Sequence, residues 1–130
     1  MKQINTYITE KLHISNKHKH TCQPKSKDEL QEIIINRIKD DGPTCDLNDI
    51  DTSKITDMSN LSNAGIGIFK DFNCDISMWD VSNVEDMGFM FFGCTEFNQD
   101  LNKWNVSNVK NMHYAFYNCP TQPTWYDEAK

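Results

Sequence analysis

F-N-C-D-I-S-M-W-D-V-S-N-V-E-D-M-G-F-M-F-F-G-C at residues 72–94 is restated at residues 97–119 as F-N-Q-D-L-N-K-W-N-V-S-N-V-K-N-M-H-Y-A-F-Y-N-C. At a shift of 25 residues the two stretches share Phe72/Phe97, Asn73/Asn98, Asp75/Asp100, Trp79/Trp104, Val81/Val106, Ser82/Ser107, Val84/Val109, Met87/Met112, Phe91/Phe116 and Cys94/Cys119. A period of this length marks a unit too small to bury its own apolar face, which must stack on a neighbour. A worn copy begins at Cys45, where Asp46-Leu47, Ile50 to Ser53, Ile55, Asp57-Met58 and Leu61 fall on their counterparts at a shift of 29. The surplus lies between Leu61 and Phe72, around Asn63 to Gly67, and predicts an enlarged loop in which Ile66, Ile68 and Phe69 form a local hydrophobic lid.

Within one unit the apolar positions are Ile76, Trp79, Val81, Val84, Met87, Met90, Phe91 and Cys94. Their spacing is neither the alternation of a strand nor the period of a helix. It predicts a chain that keeps turning around a core, with a brief extended piece near Trp79-Asp80-Val81 and a helical or 3₁₀ turn from Met87 to Phe92. Ser82-Asn83 and Ser107-Asn108 suit the corners, where small polar side chains bond the turning backbone. Leucine-rich repeats, with coils of roughly 20–29 residues, share this rhythm. The expected fold is an α/β repeat: a short right-handed leucine-rich-repeat-like solenoid of about 2.5 coils, capped by an N-terminal helix.

W-D-V-S-N-V-E-D-M at 79–87, M-F-F-G-C at 90–94, F-N-Q-D-L at 97–101 and W-N-V-S-N-V-K-N-M at 104–112 resemble the BspA-type leucine-rich repeat, also called the mycoplasma lipoprotein-associated repeat. The resemblance spans about residues 45–119. It implies protein binding without catalysis and, in that family, display at a surface. The chain departs from the family in having few repeats, no lipobox or signal peptide, and a distinctive leader. That leader, Q-I-N-T-Y-I-T-E-K-L at 3–12, resembles N-terminal segments of gut Bacteroides phage proteins, crAss-like ones above all.

The chain divides into a leader helix and basic linker at 1–25, a capping helix at 26–42, the repeats at 43–119 and a C-terminal cap or tail at 120–130. In the leader, residues 2–14 carry Ile4, Tyr7, Ile8 and Leu12 on one face. Ser26 and Glu29 form a capping box ahead of Leu30, Ile33, Ile34 and Ile38, and Gly42-Pro43 ends the helix. Its stripe of Leu30, Ile34 and Ile38 is placed to cover the first open edge of the repeats.

A net charge of -6 and a pI near 5.0 argue against nucleic-acid binding, which needs clustered Lys and Arg. No apolar run approaches the roughly 18 residues of a membrane helix, and no h-region follows Lys2. Five cysteines, with Cys94 and Cys119 at one repeat position, fit a reducing cytoplasm, where they serve as small buried hydrophobes.

His18-x-His20-x-Cys22, with His13 nearby, is the one metal-like cluster in the sequence. No second ligand pair follows it, and Lys17 and Lys19 would repel a cation, so neither a metal nor another cofactor is expected. Asp46, Asp75 and Asp100 recur at one repeat position, where each is expected to accept turn N–H groups. Nothing supplies a nucleophile, an oxyanion hole or a phosphate-cradling loop, so no catalytic residue is assigned.

What remains is surface. If the tryptophans point inward, Met78, Asp80 and Ser82 point outward, together with Lys103, Asn105 and Ser107 and, on the worn unit, Asp49, Asp51 and Ser53. This polar face is the expected binding surface, and Trp125 and Tyr126 after the last repeat form a second candidate. The expected function is a non-enzymatic protein–protein interaction module with an unidentified protein partner. A phage origin would direct it at a host factor, as an anti-defence protein. The alternative is a virion-associated or self-assembling protein that forms homo-oligomers through the leader helix or the open end of the repeats.

Overall fold

A computed structural model describes residues 20–63 and 67–130. The expected leader helix, His13, His18 and Ile66 lie outside the described residues. Helix α1, Lys27–Asp41, is the single helix among those described. Ser26 caps it, its hydroxyl accepting the Glu29 N–H at 3.2 Å, and Asp28 and Glu29 place negative charge at the positive end of the helix dipole. Gly42, at φ 90°, closes it by donating its N–H to the Ile38 carbonyl at 2.8 Å.

Leu30 and Ile34 are completely buried and Ile38 is partly so. Polar contacts hold α1 against the first repeat unit. Gln31 donates to the Leu61 carbonyl at 2.9 Å, Lys27 to the Ser59 hydroxyl at 3.1 Å, and Arg37 to the Asp46 carbonyl at 2.8 Å.

The expected α/β solenoid of about 2.5 leucine-rich-repeat-like coils is not what the chain forms. Among the described residues the repeats contain no named strand, no sheet and no helix; backbone pairing is confined to four isolated parallel bridges, Cys22 with Ile50, Asp46 with Asp75, Asp57 with Asp86, and Asp86 with Asn111. The reason lies in the carboxylates and amides. Asp46, Asp51, Asp57, Asp75, Asp80, Asp86, Asp100, Asn105, Asn111 and Asp127 each accept the N–H two residues further on. A side chain that bonds its own backbone in this way turns the chain. Within each unit three such turns follow one another at intervals of five and six residues, at 46, 51 and 57, at 75, 80 and 86, and at 100, 105 and 111, so no stretch there stays extended long enough to become a strand. Nor do Met87 to Phe92 form a helical turn, because Phe89 has φ 56°.

The units are nonetheless joined and stacked. Met87, Phe89, Phe91 and Gly93 donate their N–H groups to the carbonyls of Asn111, His113, Ala115 and Tyr117 at 2.7–2.9 Å, and Met58, Asn60 and Ser62 do the same to Asp86, Gly88 and Met90. In the interior Trp79 lies over Trp104, with centroids 6.4 Å apart and planes 9° apart. Phe72 lies over Phe97 at 5.6 Å and 10°. Each indole N–H reaches a carbonyl of the preceding unit, Trp79 to Leu47 at 2.9 Å and Trp104 to Ile76 at 3.2 Å.

Trp125 extends this column. It stacks on Trp104 at 6.2 Å and donates to the Leu101 carbonyl at 2.8 Å, while Tyr126 meets Phe116 edge-on at 5.3 Å. The segment after the last full repeat therefore covers that end of the stack as α1 covers the other. Phe69 of the expected lid is buried and Ile68 packs against the core.

Candidate functional site

The polar residues singled out from the sequence stand in columns, but their side chains are largely engaged. Asp80 accepts from the Ser82 N–H at 3.0 Å and hydroxyl at 2.6 Å. Asp51 accepts from Ser53 N–H at 3.0 Å and Gln23 at 2.7 Å, with His20 at 3.6 Å. Asn105 accepts from Ser107 at 3.1 Å. Asp49 accepts from Thr21 and twice from Arg37, at 3.1 and 3.0 Å. Burial works against ionisation of Asp49, yet the Arg37 and Thr21 hydrogen bonds outweigh it and hold the carboxyl below its usual range. Hydrogen bonds from Ser53 do the same for Asp51. Met78 and Lys103 point into solvent, Met78 at 50% exposure. Trp125 and Tyr126 are half-buried against the last repeat.

Beside the polar face runs a shallow groove lined by Ser53, Lys54, Thr56, Asn83, Glu85, Asn108 and Lys110. Asn83 donates to the Ser53 carbonyl at 2.8 Å and Asn108 to that of Ser82 at 2.6 Å. Lys110 pairs with Glu85 at 3.1 Å. These amides bind one unit to the next. Among the described residues no group of three or more His, Cys, Asp or Glu is placed to hold a metal ion. Asp46, Asp75 and Asp100 each accept the turn N–H of their own unit. Cys94 and Cys119 carry free thiols that burial pushes up to about 11 and about 12.

A different surface stands out. Phe89, Phe92 and Tyr117 are 37%, 45% and 44% exposed, and half-buried Tyr114 joins them. Phe92 stacks on Tyr117 with centroids 5.1 Å apart and planes 10° apart. Phe89 lies 5.5 Å from Phe92 and 5.4 Å from Tyr114, and Tyr114 meets Tyr117 edge-on at 5.4 Å. His113 packs on Tyr114 at 4.2 Å. Four rings on two successive units thus form one aromatic edge open to solvent.

Backbone geometry marks the same edge. Asn60, Phe89 and Tyr114 share one repeat position and all are left-handed, with φ 55°, 56° and 55°. Asparagine tolerates this region, whereas a bulky side chain there is a genuine outlier that stores strain. The first unit carries Asn60 and Asn63 where the later units carry Phe89 with Phe92 and Tyr114 with Tyr117. At the left-handed position local geometry alone would favour asparagine in every unit. The signal was present in the sequence: these aromatics recur at the same 25-residue shift, yet fall outside the apolar positions of the core.

The charge is uneven as well. Residues 71–102 contain seven Asp or Glu and no Lys or Arg, and residues 71–130 contain nine acidic residues against three lysines. The whole excess of negative charge therefore belongs to the part of the chain that carries the aromatic edge.

No helix among the described residues is long and apolar enough to cross a membrane. Neither a curated protein nor a solved structure matches the chain. Residues 35–123 match the family described as "Mycoplasma protein of unknown function, DUF285". That match runs from within α1 through all three repeat units and covers well over half of the sequence, and by it the chain belongs to the DUF285 family.

Proposed function

We propose that this protein is a non-enzymatic protein-binding module whose docking surface is the aromatic edge of Phe89, Phe92, Tyr114 and Tyr117. The observation that carries the proposal is the cluster of exposed Phe89, Phe92 and Tyr117 with half-buried Tyr114, packed ring on ring where the first unit has Asn60 and Asn63. Rings packed on one another offer apolar area at little further entropic cost, which suits a binding anchor. The partner is a protein segment rich in Arg or Lys. The excess of acidic residues in the half of the chain that carries the edge favours such a segment, and its guanidinium or ammonium groups lie favourably over the exposed ring faces.

The BspA-type resemblance supports protein binding, and the phage-like leader makes a host factor in the bacterial cytoplasm the natural target, bound so as to block it. Assembly through an open end draws no support from the stack, since α1 covers one end and Trp125 and Tyr126 the other.

The test titrates the protein with a fluorescein-labelled arginine–glycine peptide and with its glutamate counterpart, reading anisotropy and backbone amide shifts. Saturable binding of the arginine peptide is expected, with shifts confined to Gly88–Gly93 and His113–Asn118. Phe92→Ser with Tyr117→Ser should weaken binding about tenfold, matching the loss of two cation–π contacts of roughly 0.5–1 kcal/mol each. Equal affinity of the variant, or shifts spread over every acidic surface, refutes the proposal.

A further inference from the structure

Cys45 and Cys74 occupy the same position in the first two repeat units, where the third carries Gln99. Their Sγ atoms are 3.3 Å apart. Backbone hydrogen bonds clamp the two segments on both sides of the pair: Asn73 N–H to Pro43 at 2.7 Å, Asp75 N–H to Cys45 at 3.0 Å, and Leu47 N–H to Asp75 at 3.0 Å. Parallel neighbours held in this way lie about 4.8 Å apart, inside the roughly 4.4–6.8 Å span of Cα atoms that a disulfide bridges without moving the backbone. The Cys74 thiol also donates to the Pro43 carbonyl at 3.2 Å, a bond that closure to the disulfide gives up.

We infer that Cys45 and Cys74 are a redox-active dithiol that closes to a disulfide by exchange with a small disulfide such as oxidised glutathione. Cys45 is only partly buried and Cys74 fully so, and Cys45 therefore reacts first. Its thiolate attacks one sulfur of the donor, breaking the donor S–S bond and releasing one small thiolate. Cys74, whose thiol burial and the neighbouring Cys45 push up, then loses its proton and attacks Cys45 Sγ, releasing the second small thiolate. Two protein thiols and one donor disulfide become one protein disulfide and two small thiols, and the donor takes up the two electrons.

The cross-link joins residues on either side of the sequence insertion between Leu61 and Phe72 and ties the α1-bearing unit to the next. Closing a loop of this length restricts the unfolded chain and should raise Tm by about 10 °C.

The test incubates the reduced full chain in excess oxidised glutathione, alkylates remaining thiols, and maps peptides without reduction. The expected result is a Cys45–Cys74 cross-linked peptide, alkylated Cys22, Cys94 and Cys119, and a higher Tm that dithiothreitol reverses. Cys45→Ser, which changes the more exposed partner, should remove both the cross-link and the rise in Tm, and Cys74→Ser should do likewise. Five alkylated cysteines, a stable glutathione adduct on Cys45, or a cross-link between any other pair overturns the inference.

Discussion

Replacing Trp104 with alanine removes the middle ring of a column that contains every tryptophan in the chain. Trp104 is 6% exposed, stacks on Trp79 at 6.4 Å and Trp125 at 6.2 Å, and donates to the Ile76 carbonyl. Truncating a buried tryptophan costs about 3–5 kcal/mol through lost transfer free energy and the cavity left behind. Stacking on both faces places this site at the upper end, since each aromatic pair contributes about 1 kcal/mol beyond its area. Trp125→Ala, which loses one stacking partner at a half-buried site, should cost only about 1–2 kcal/mol. Trp104→Phe keeps a ring but removes the indole N–H from the Ile76 carbonyl, which still accepts from the Trp79 N–H at 3.1 Å, for a loss of about 1 kcal/mol. Urea unfolding followed by far-ultraviolet circular dichroism, with equal m-values, measures all three. A Trp104→Ala loss below about 1 kcal/mol, or no difference between positions 104 and 125, would refute the stacked interior.

Gly88→Ala should destabilise by about 1–3 kcal/mol, because its Cβ would stand 2.8 Å from the Asn111 amide nitrogen and 3.2 Å from Asp86 Oδ1; an unchanged denaturation midpoint would count against that close approach. Ser26→Ala removes the α1 cap and should cost about 1 kcal/mol in the same assay, with no effect expected if the helix start is set elsewhere. Asp49 has a folded-state pKa below its unfolded one. Its contribution is therefore complete at neutral pH and is lost as pH falls below about 4. Wild type should lose more Tm than Asp49→Asn between neutral pH and about pH 3, and parallel curves would contradict the Arg37 pairing.

Phe89 and Phe92 fall outside the apolar positions of the repeat, but hydrophobicity alone does not say so. Both sit in a run of five residues, Phe89 to Gly93, with Met90 and Phe91 between them, and hydrophobicity does not separate them: Met90 and Phe91 are completely buried while Phe89 and Phe92 face solvent. The left-handed turn at Phe89 decides this, and that turn depends on hydrogen bonds to His113 and Ala115 in the next unit. The polar face was legible as a set of positions, since Asp80 and Ser82 recur as Asn105 and Ser107. Its chemistry was not, because the same side chains are used in turning the backbone. Those turns are also why the expected strands do not form.

By itself the sequence determined the repeat boundaries, the start and stop of α1, and the identity of the apolar column, because local turn chemistry and periodicity are written in neighbouring residues. Tertiary structure alone decided which carbonyls the indoles reach, that the four outer rings pack on one another, and that Cys45 and Cys74 meet. Each of these depends on how one unit settles on the next, a contact between residues about 25–29 positions apart that no local preference specifies.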